Sequence, residues 1–116
     1  MKRKFRLRRS TDFKRVRRLG KSYAHPLVVL IIHPNEEDFS RFGVTAGRSI
    51  GSAVQRNRAK RRLRDIIRQR RLDIQPGWDI IFLARQPIIF AHHKDLVEAI
   101  DQLISRAGIS EKQHVH

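Results

Sequence analysis

The sequence predicts an α+β fold: a small mixed β-sheet sandwiched with helices, in the order α-β-β-α-β-α. Three observations predict it. Amphipathic helical patterns open, divide and close the chain, short aliphatic runs lie between them, and turn residues separate the segments. No internal repeat and no linker marks a second domain, so residues 1–109 read as one domain and residues 110–116 as a frayed tail.

Each element has a local reason. Ser10, Thr11 and Asp12 favour a helix start and Gly20 suits its C-terminal end. That helix would place Phe13 and Val16 on one face with Arg17 beside them. Residues 23–33 read as a strand covered on both faces, because Leu27 to Ile32 are aliphatic without polar alternation. Residues 34–38 form a turn, and residues 39–46 a second strand, antiparallel to the first if a hairpin connects them. Gly47-Arg48-Ser49-Ile50-Gly51 makes an irregular approach to the best-marked helix. There Ser52-Ala53-Val54-Gln55 is a capping box, in which the serine hydroxyl accepts from the third-residue amide and the glutamine reaches back. The helix runs to about residue 71, with Ala59, Leu63, Ile66 and Ile67 in one stripe continued by the stem of Arg70. Gln75-Pro76-Gly77 is a turn, residues 78–84 a third strand, and Pro87 breaks it. A last helix over residues 92–106 carries Leu96, Ala99, Ile100, Leu103, Ile104 and Ala107 at helical spacing, with Gly108 as its cap.

Composition narrows the partner. The 116 residues carry 26 Lys and Arg against 11 Asp and Glu, a net charge of +15, with 40% apolar residues. That apolar fraction supplies one modest core, which a disordered basic tail would lack. With no cysteine there is no disulfide scaffold, zinc finger or thiol nucleophile. The longest apolar run is six residues, against the ~20 of a membrane-spanning helix. No apolar signal-peptide core follows the charged N-terminus, so a cytoplasmic location is expected.

The charge is concentrated. Residues 1–71 hold 22 of the 26 basic residues and five acids, a net of +17, and residues 72–116 have a net of −2. Residues 2–21 carry eleven Lys or Arg opposed by Asp12, and residues 48–71 carry ten opposed by Asp65. Solvated helix faces explain ordinary charge runs, but repulsion of this size weakens a fold unless an anion offsets it. A nucleic acid fits.

The segment from Gly51 to Arg68 says which kind. Its first turn offers backbone N–H groups and the positive dipole end to phosphate, and Arg56, Asn57 and Arg58 add guanidinium forks and an amide just beyond. Arginine binds phosphate oxygens in a bidentate way and stacks on bases, which suits structured RNA or splayed bases. The ordered set Gly51, Ala53-Val54, Arg56-Asn57-Arg58, Lys60-Arg61 and Arg64 resembles the signature of the bacterial ribonuclease P protein family. Leu7, Ser10-Thr11-Asp12-Phe13, Gly20, Gly43-Val44, Ile50-Gly51 and residues 79–85 extend the resemblance over roughly residues 5–107.

The resemblance implies a subunit of an RNA-based endonuclease that removes the 5′ leader of precursor tRNA. Its catalytic centre and magnesium ions would belong to the RNA, with no cofactor bound by the protein alone, no membrane association and no obligate protein partner. By the same resemblance Arg48, Arg56, Asn57, Arg58, Lys60 and Arg61 would face the catalytic RNA. A cleft between this helix and the sheet would hold the leader, lined by Phe13, Arg17, Val29 and Ile31 with Arg64 and Arg68 on the helix side. The family's crossover between parallel strands is left-handed, against the usual rule. The sequence departs from the family pattern at Arg17 and Ile31, where aromatics are common, and over residues 45–49, where Arg48 is the main cation. Fewer aromatics shift leader binding toward charge, which tolerates sequence and responds to salt.

Other readings of these residues stay open from sequence. Phe13 serves equally as core or as ligand contact. Asn57 lies past the capping box, where asparagine is a poor helix former, so a contact role outweighs a helix-start role. His92-His93, His114 and His116 lack metal-ligand spacing and read as structural or surface residues. Asp12, Asp65 and Asp79 read as salt-bridging or capping groups and not as general acids or bases. A ribosomal protein or assembly factor fits the composition equally well. A helix-turn-helix DNA binder would need a helix where strands are expected. A protein-only nuclease would need an acid or histidine cluster.

Overall fold

The computed structural model describes residues 1–111. Three helices and four strands follow in the order α1 (Ser10–Leu19), β1 (Lys21–Ala24), β2 (Val28–Pro34), β3 (Arg41–Ala46), α2 (Ala53–Arg70), β4 (Trp78–Ala84) and α3 (His93–Ala107). The strands form one mixed sheet in the order β1-β2-β4-β3. β4 runs antiparallel to β2, with Leu30 opposite Phe82, and parallel to β3, with Val44 opposite Phe82.

The α+β sandwich holds, with two differences in its strands. The expected strand over residues 23–33 is two strands, β1 and β2, paired antiparallel with Tyr23 opposite Leu30. They separate at His25-Pro26-Leu27, where Pro26 has no N–H for a ladder and the Leu27 N–H donates to His25 Nδ1 at 3.1 Å. β3 does not form a hairpin with β2. Ile80, Ile81 and Phe82 of β4 are buried on both faces of the sheet, so β4 takes the central position between β2 and β3. α2 is therefore the crossover of a β3-α2-β4 unit, and strands on either side of it exclude the helix-turn-helix alternative.

Alternation along the strands divides the apolar residues between two layers. Val28, Leu30 and Ile32 of β2, with Ile80 and Phe82 of β4, pack against Leu63, Ile66 and Ile67 of α2 and Leu96, Ile100 and Leu103 of α3. On the opposite face Ile31 and Ile81 pack with Leu7 and Val16, with Phe13 and Val29 at the margin. Ile109 is fully buried and Ser110 bridges Ile74, so the fold continues past the expected start of the tail. Residues 112–116, with His114 and His116, lie outside the described residues.

One buried carboxylate ties the α1 layer together. Asp79 of β4 accepts from Arg41 Nε and Nη2, both at 2.8 Å, from Asn35 Nδ2 at 3.0 Å and from Arg15 Nη2 at 3.2 Å. These donors come from β3, from the connection between β2 and β3, and from α1. Burial pushes the Asp79 carboxyl up. The hydrogen bonds from Arg41 and Asn35, the Arg41 charge and the Arg15 hydrogen bond outweigh it and hold the group below the usual carboxylate range.

Removing the carboxylate leaves two arginines without their shared counter-charge. Asp79→Ala should lower stability by about 3 kcal/mol, measured by urea unfolding at neutral pH. Because the folded pKa lies below the unfolded value of about 3.9, this stabilisation is complete above that pH and is lost as pH falls toward the folded pKa. The difference between the native protein and Asp79→Ala should therefore shrink in acid; an unchanged difference down to pH 2 would contradict it.

Candidate nucleic-acid interface

α2 is fixed at its start. The Gln55 N–H donates to Ser52 Oγ at 3.2 Å and the Ser52 N–H to Gln55 Oε1 at 2.9 Å, the expected reciprocal cap. Gly51 approaches it at φ +136°, and a Cβ there would overlap Gln55 Oε1, so this cap needs a glycine before it. Arg56 Nη1 donates to the Gly51 carbonyl at 2.9 Å.

With Ala59, Leu63, Ile66 and Ile67 buried against the sheet, the helical step of about 100° per residue sorts the polar residues. Asn57, Arg61, Arg64 and Arg68 form an exposed crest. Lys60 lies beside Arg64 on one flank, and Arg58 and Arg62 share the other. Arg48 is exposed on the short turn before the helix. Of the residues expected to face a catalytic RNA, Asn57, Arg58, Arg61 and Arg48 are exposed, Arg56 is half-buried in its contact with Gly51, and Lys60 is half-buried.

The Lys60 flank descends into a groove of about 380 Å³ around the β3 edge of the sheet. Phe13 of α1, Gly43 and Val44 of β3, and Arg64 and Arg68 of α2 line it, and the N-terminal segment closes one side with Arg6 and Arg8. That segment is held by the Leu7 N–H donating to the Phe42 carbonyl at 2.8 Å. Farther out, Lys4 lies 5.0 Å from the ring centre of Phe5 and Arg71 4.7 Å from the same ring. Phe13 packs at the margin of the α1 layer and also lines the groove. It sits where a side chain on Gly43 would be: a Cβ there would lie 2.6 Å from Phe13 Cζ.

Three residues expected to line the leader cleft lie elsewhere. Ile31 is buried beneath α1, because alternate residues of β2 face Val16. Val29 is half-buried at the margin of the same layer, and Arg17 is exposed on α1 without bordering the groove. Arg6 and Arg8 were not expected there. Their alternation with the buried Leu7 is the strand-like pattern that marks the segment as sheet-bound.

Asp65 pairs with Arg68, Asp12 with Arg15 at 3.0 Å and Asp79 with Arg41, the salt-bridging role expected of acids set among bases or strand residues. Among the described residues, no three His, Asp or Glu side chains are grouped as metal ligands, and no helix is long and apolar enough to cross a membrane.

The ribonuclease P family model matches residues 1–108. This chain belongs to the ribonuclease P protein family. It is 39% identical over 109 residues to the ribonuclease P protein component of Herpetosiphon aurantiacus, covering 94% of this chain and 89% of that one. It is 37% identical to the component from Clostridioides difficile, covering 90% and 92%. The fold superposes on the ribonuclease P protein of Staphylococcus aureus with a TM-score of 0.82 at 28% identity, covering 90% and 96%. For the protein of Thermotoga maritima the TM-score is 0.79 at 30% identity, covering 87% and 96%. As a ribonuclease P protein, the chain is a component of an endoribonuclease complex that processes tRNA and pairs with the complex's RNA subunit. The ribosomal-protein alternative falls with this assignment.

The contact between Gly43 and Phe13 is directly testable. Gly43→Ala should lower stability by about 1–3 kcal/mol, because the ring must leave its seat or the strand must shift. In the Gly43→Ala, Phe13→Ala double variant the losses should fall short of the sum of the single losses, measured by urea unfolding. Additive losses would mean the two residues do not compete for one space.

Proposed function

We propose that this ribonuclease P protein binds the catalytic RNA with the exposed N-terminal half of α2, and receives the single-stranded 5′ leader of precursor tRNA in the groove beside β3. One observation carries the reading: a single core-anchored helix presents Asn57, Arg58 and Arg61 outward and directs Arg64 and Arg68 into a groove floored by Phe13 and Gly43. Two RNAs brought together at neighbouring surfaces of one cationic body have less mutual repulsion to overcome. Counterion release at their phosphates supplies much of the affinity.

In the groove, Phe13 offers one aromatic face to a base, and Arg6, Arg8 and Arg64 offer donors to backbone phosphates. Ile31 is covered by α1 and Arg17 points elsewhere, so leader binding here rests on one ring and several charges. It tolerates sequence and weakens steeply with salt. The bond to be cut lies outside the protein's own chemistry in this reading. Among the described residues the groove's lining holds no acid, and Asp65 of α2 pairs with Arg68. Magnesium ions held by the RNA would supply the cleavage chemistry, and the protein orients the substrate. A cytoplasmic place of action, a single folded unit that reaches Ser110 and the absence of an obligate protein partner complete the proposal.

Precursor tRNA incubated with the catalytic RNA at low magnesium should be cleaved faster when the protein is added, and not at all by the protein alone. Cleavage by the protein alone, or no stimulation, would overturn the reading. Arg58→Ala should weaken binding to the catalytic RNA. Phe13→Ala should reduce the preference for substrates that carry a leader over those that lack one. If both variants impair the same one of these two properties equally, the surfaces are not separate.

A further inference from the structure

The flank of α2 away from the groove ends on a ring that the fold does not use. Phe90 is 82% exposed, the most exposed of the large apolar side chains among the described residues. It stands on the short turn Gln86–Phe90, which packs against the turn Arg48–Ile50 and against α2. Its pedestal is tied to α2. Arg62 of α2 donates from Nη1 to the Ile88 carbonyl at 2.9 Å and from Nη2 to the Ala91 carbonyl at 2.7 Å, so one guanidinium grips the backbone on either side of Phe90. Ile88 is fully buried beneath, and the Ala91 N–H donates to the Ile88 carbonyl at 3.1 Å. Arg58 lies one helical turn from Arg62 on the same flank, and Val54, 76% exposed, one turn before that.

We propose that Phe90 is a base-stacking contact: it takes an unpaired nucleobase of the catalytic RNA whose phosphates lie along the Arg58 flank of α2. The inference rests on the reading that this helix faces the catalytic RNA, and extends that surface beyond the helix to the turn before α3. Charge selects the occupant. The elements that this turn packs against carry Arg58 and Arg62 on α2, the latter bonded to the turn itself, and Arg48 on the turn Arg48–Ile50. An apolar protein surface laid over the ring would desolvate these cations without pairing them. A second copy of this chain would bring another net charge of +15 against them. A nucleotide has the two parts this flank matches, a π-face for the ring and a phosphate for the guanidinium. Because the turn is already clamped, little ordering accompanies the contact. The groove lies on the opposite flank, so the contact is independent of the leader.

The test measures binding of the transcribed catalytic RNA, without precursor tRNA, to the full chain across a salt series. Phe90→Ala should weaken binding about tenfold at every salt concentration, leaving the slope of log affinity against log salt unchanged. Phe90→Trp should restore the affinity, and Phe90→Leu should not. The added tryptophan should be quenched by RNA beyond any change at Trp78. Arg58→Ala should lower affinity and reduce the slope by about one. If Arg58→Ala weakens binding and Phe90→Ala does not, the stacking contact is wrong and the reading of α2 stands. If neither variant weakens binding, both are wrong. Restoration by leucine as complete as by tryptophan would replace stacking with plain apolar contact and overturn the inference. So would a change in the elution volume of the free protein with Phe90→Ala, which would make the ring a contact between copies.

Discussion

The two-layered architecture depends on burying one negative charge in a protein that carries a large positive excess. Asp79 sits in the central strand with only 1% of its side chain exposed, and three segments reach it with donors. Apolar contact alone would leave α1 free to slide over the sheet, because the cluster beneath it is small: Leu7, Val16, Ile31 and Ile81 are its fully enclosed members. The directional bonds to Arg15 and Arg41 set where α1 stands relative to β3. That position brings Phe13 over Gly43. The groove is thus a product of the ion pair as much as of the apolar layer.

α2 illustrates how one helix serves two environments. Its buried stripe is narrow, four residues in eighteen, and this narrowness leaves most of its circumference to cations. Such a helix gains little from its own sequence, since like charges one turn apart repel. Its stability comes from the capping box at one end, the sheet along its length and the Arg70–Asp101 pair at 2.8 Å to α3 near the other. Arg62 shows the same economy of position: it lies half-buried among cations, and burial, with the charge of Arg58, lowers its pKa, while two backbone carbonyls take its hydrogen bonds. Arginines that hold the fold and arginines that are free for a ligand alternate along the same helix.

Much of this was legible in the chain. The cap at Ser52, the stripe through Leu63 and Ile67, and the C-terminal glycine at position 108 are local features, and local features carry their own instructions. The split between β1 and β2 was harder to see, because the aliphatic run after Leu27 hides the turn at Pro26, although proline within an apparent strand argues for a break. The parallel pairing of β3 with β4 has no local mark at all: it depends on a central strand far along the chain. The same limit applies to the site. Arg64 and Arg68 came from the resemblance of the α2 segment, whereas the burial of Ile31 and the approach of Arg6 and Arg8 follow from which face of the sheet α1 covers and which edge the N-terminus joins.

The central position of β4 also has a consequence in time. Synthesis runs from the N-terminus, and the strand that joins both halves of the sheet begins at residue 78. By then all of the chain with a net charge of +17 has been made, together with Arg15 and Arg41, but not the carboxylate that unites them. β3 has no partner on its inner side until that strand arrives, and the β3–β4 pairing closes a loop that contains the whole of α2. Such non-local closure is slow compared with helix formation. During synthesis a strongly cationic, incompletely packed segment therefore exists before its central strand and its buried counter-charge are made.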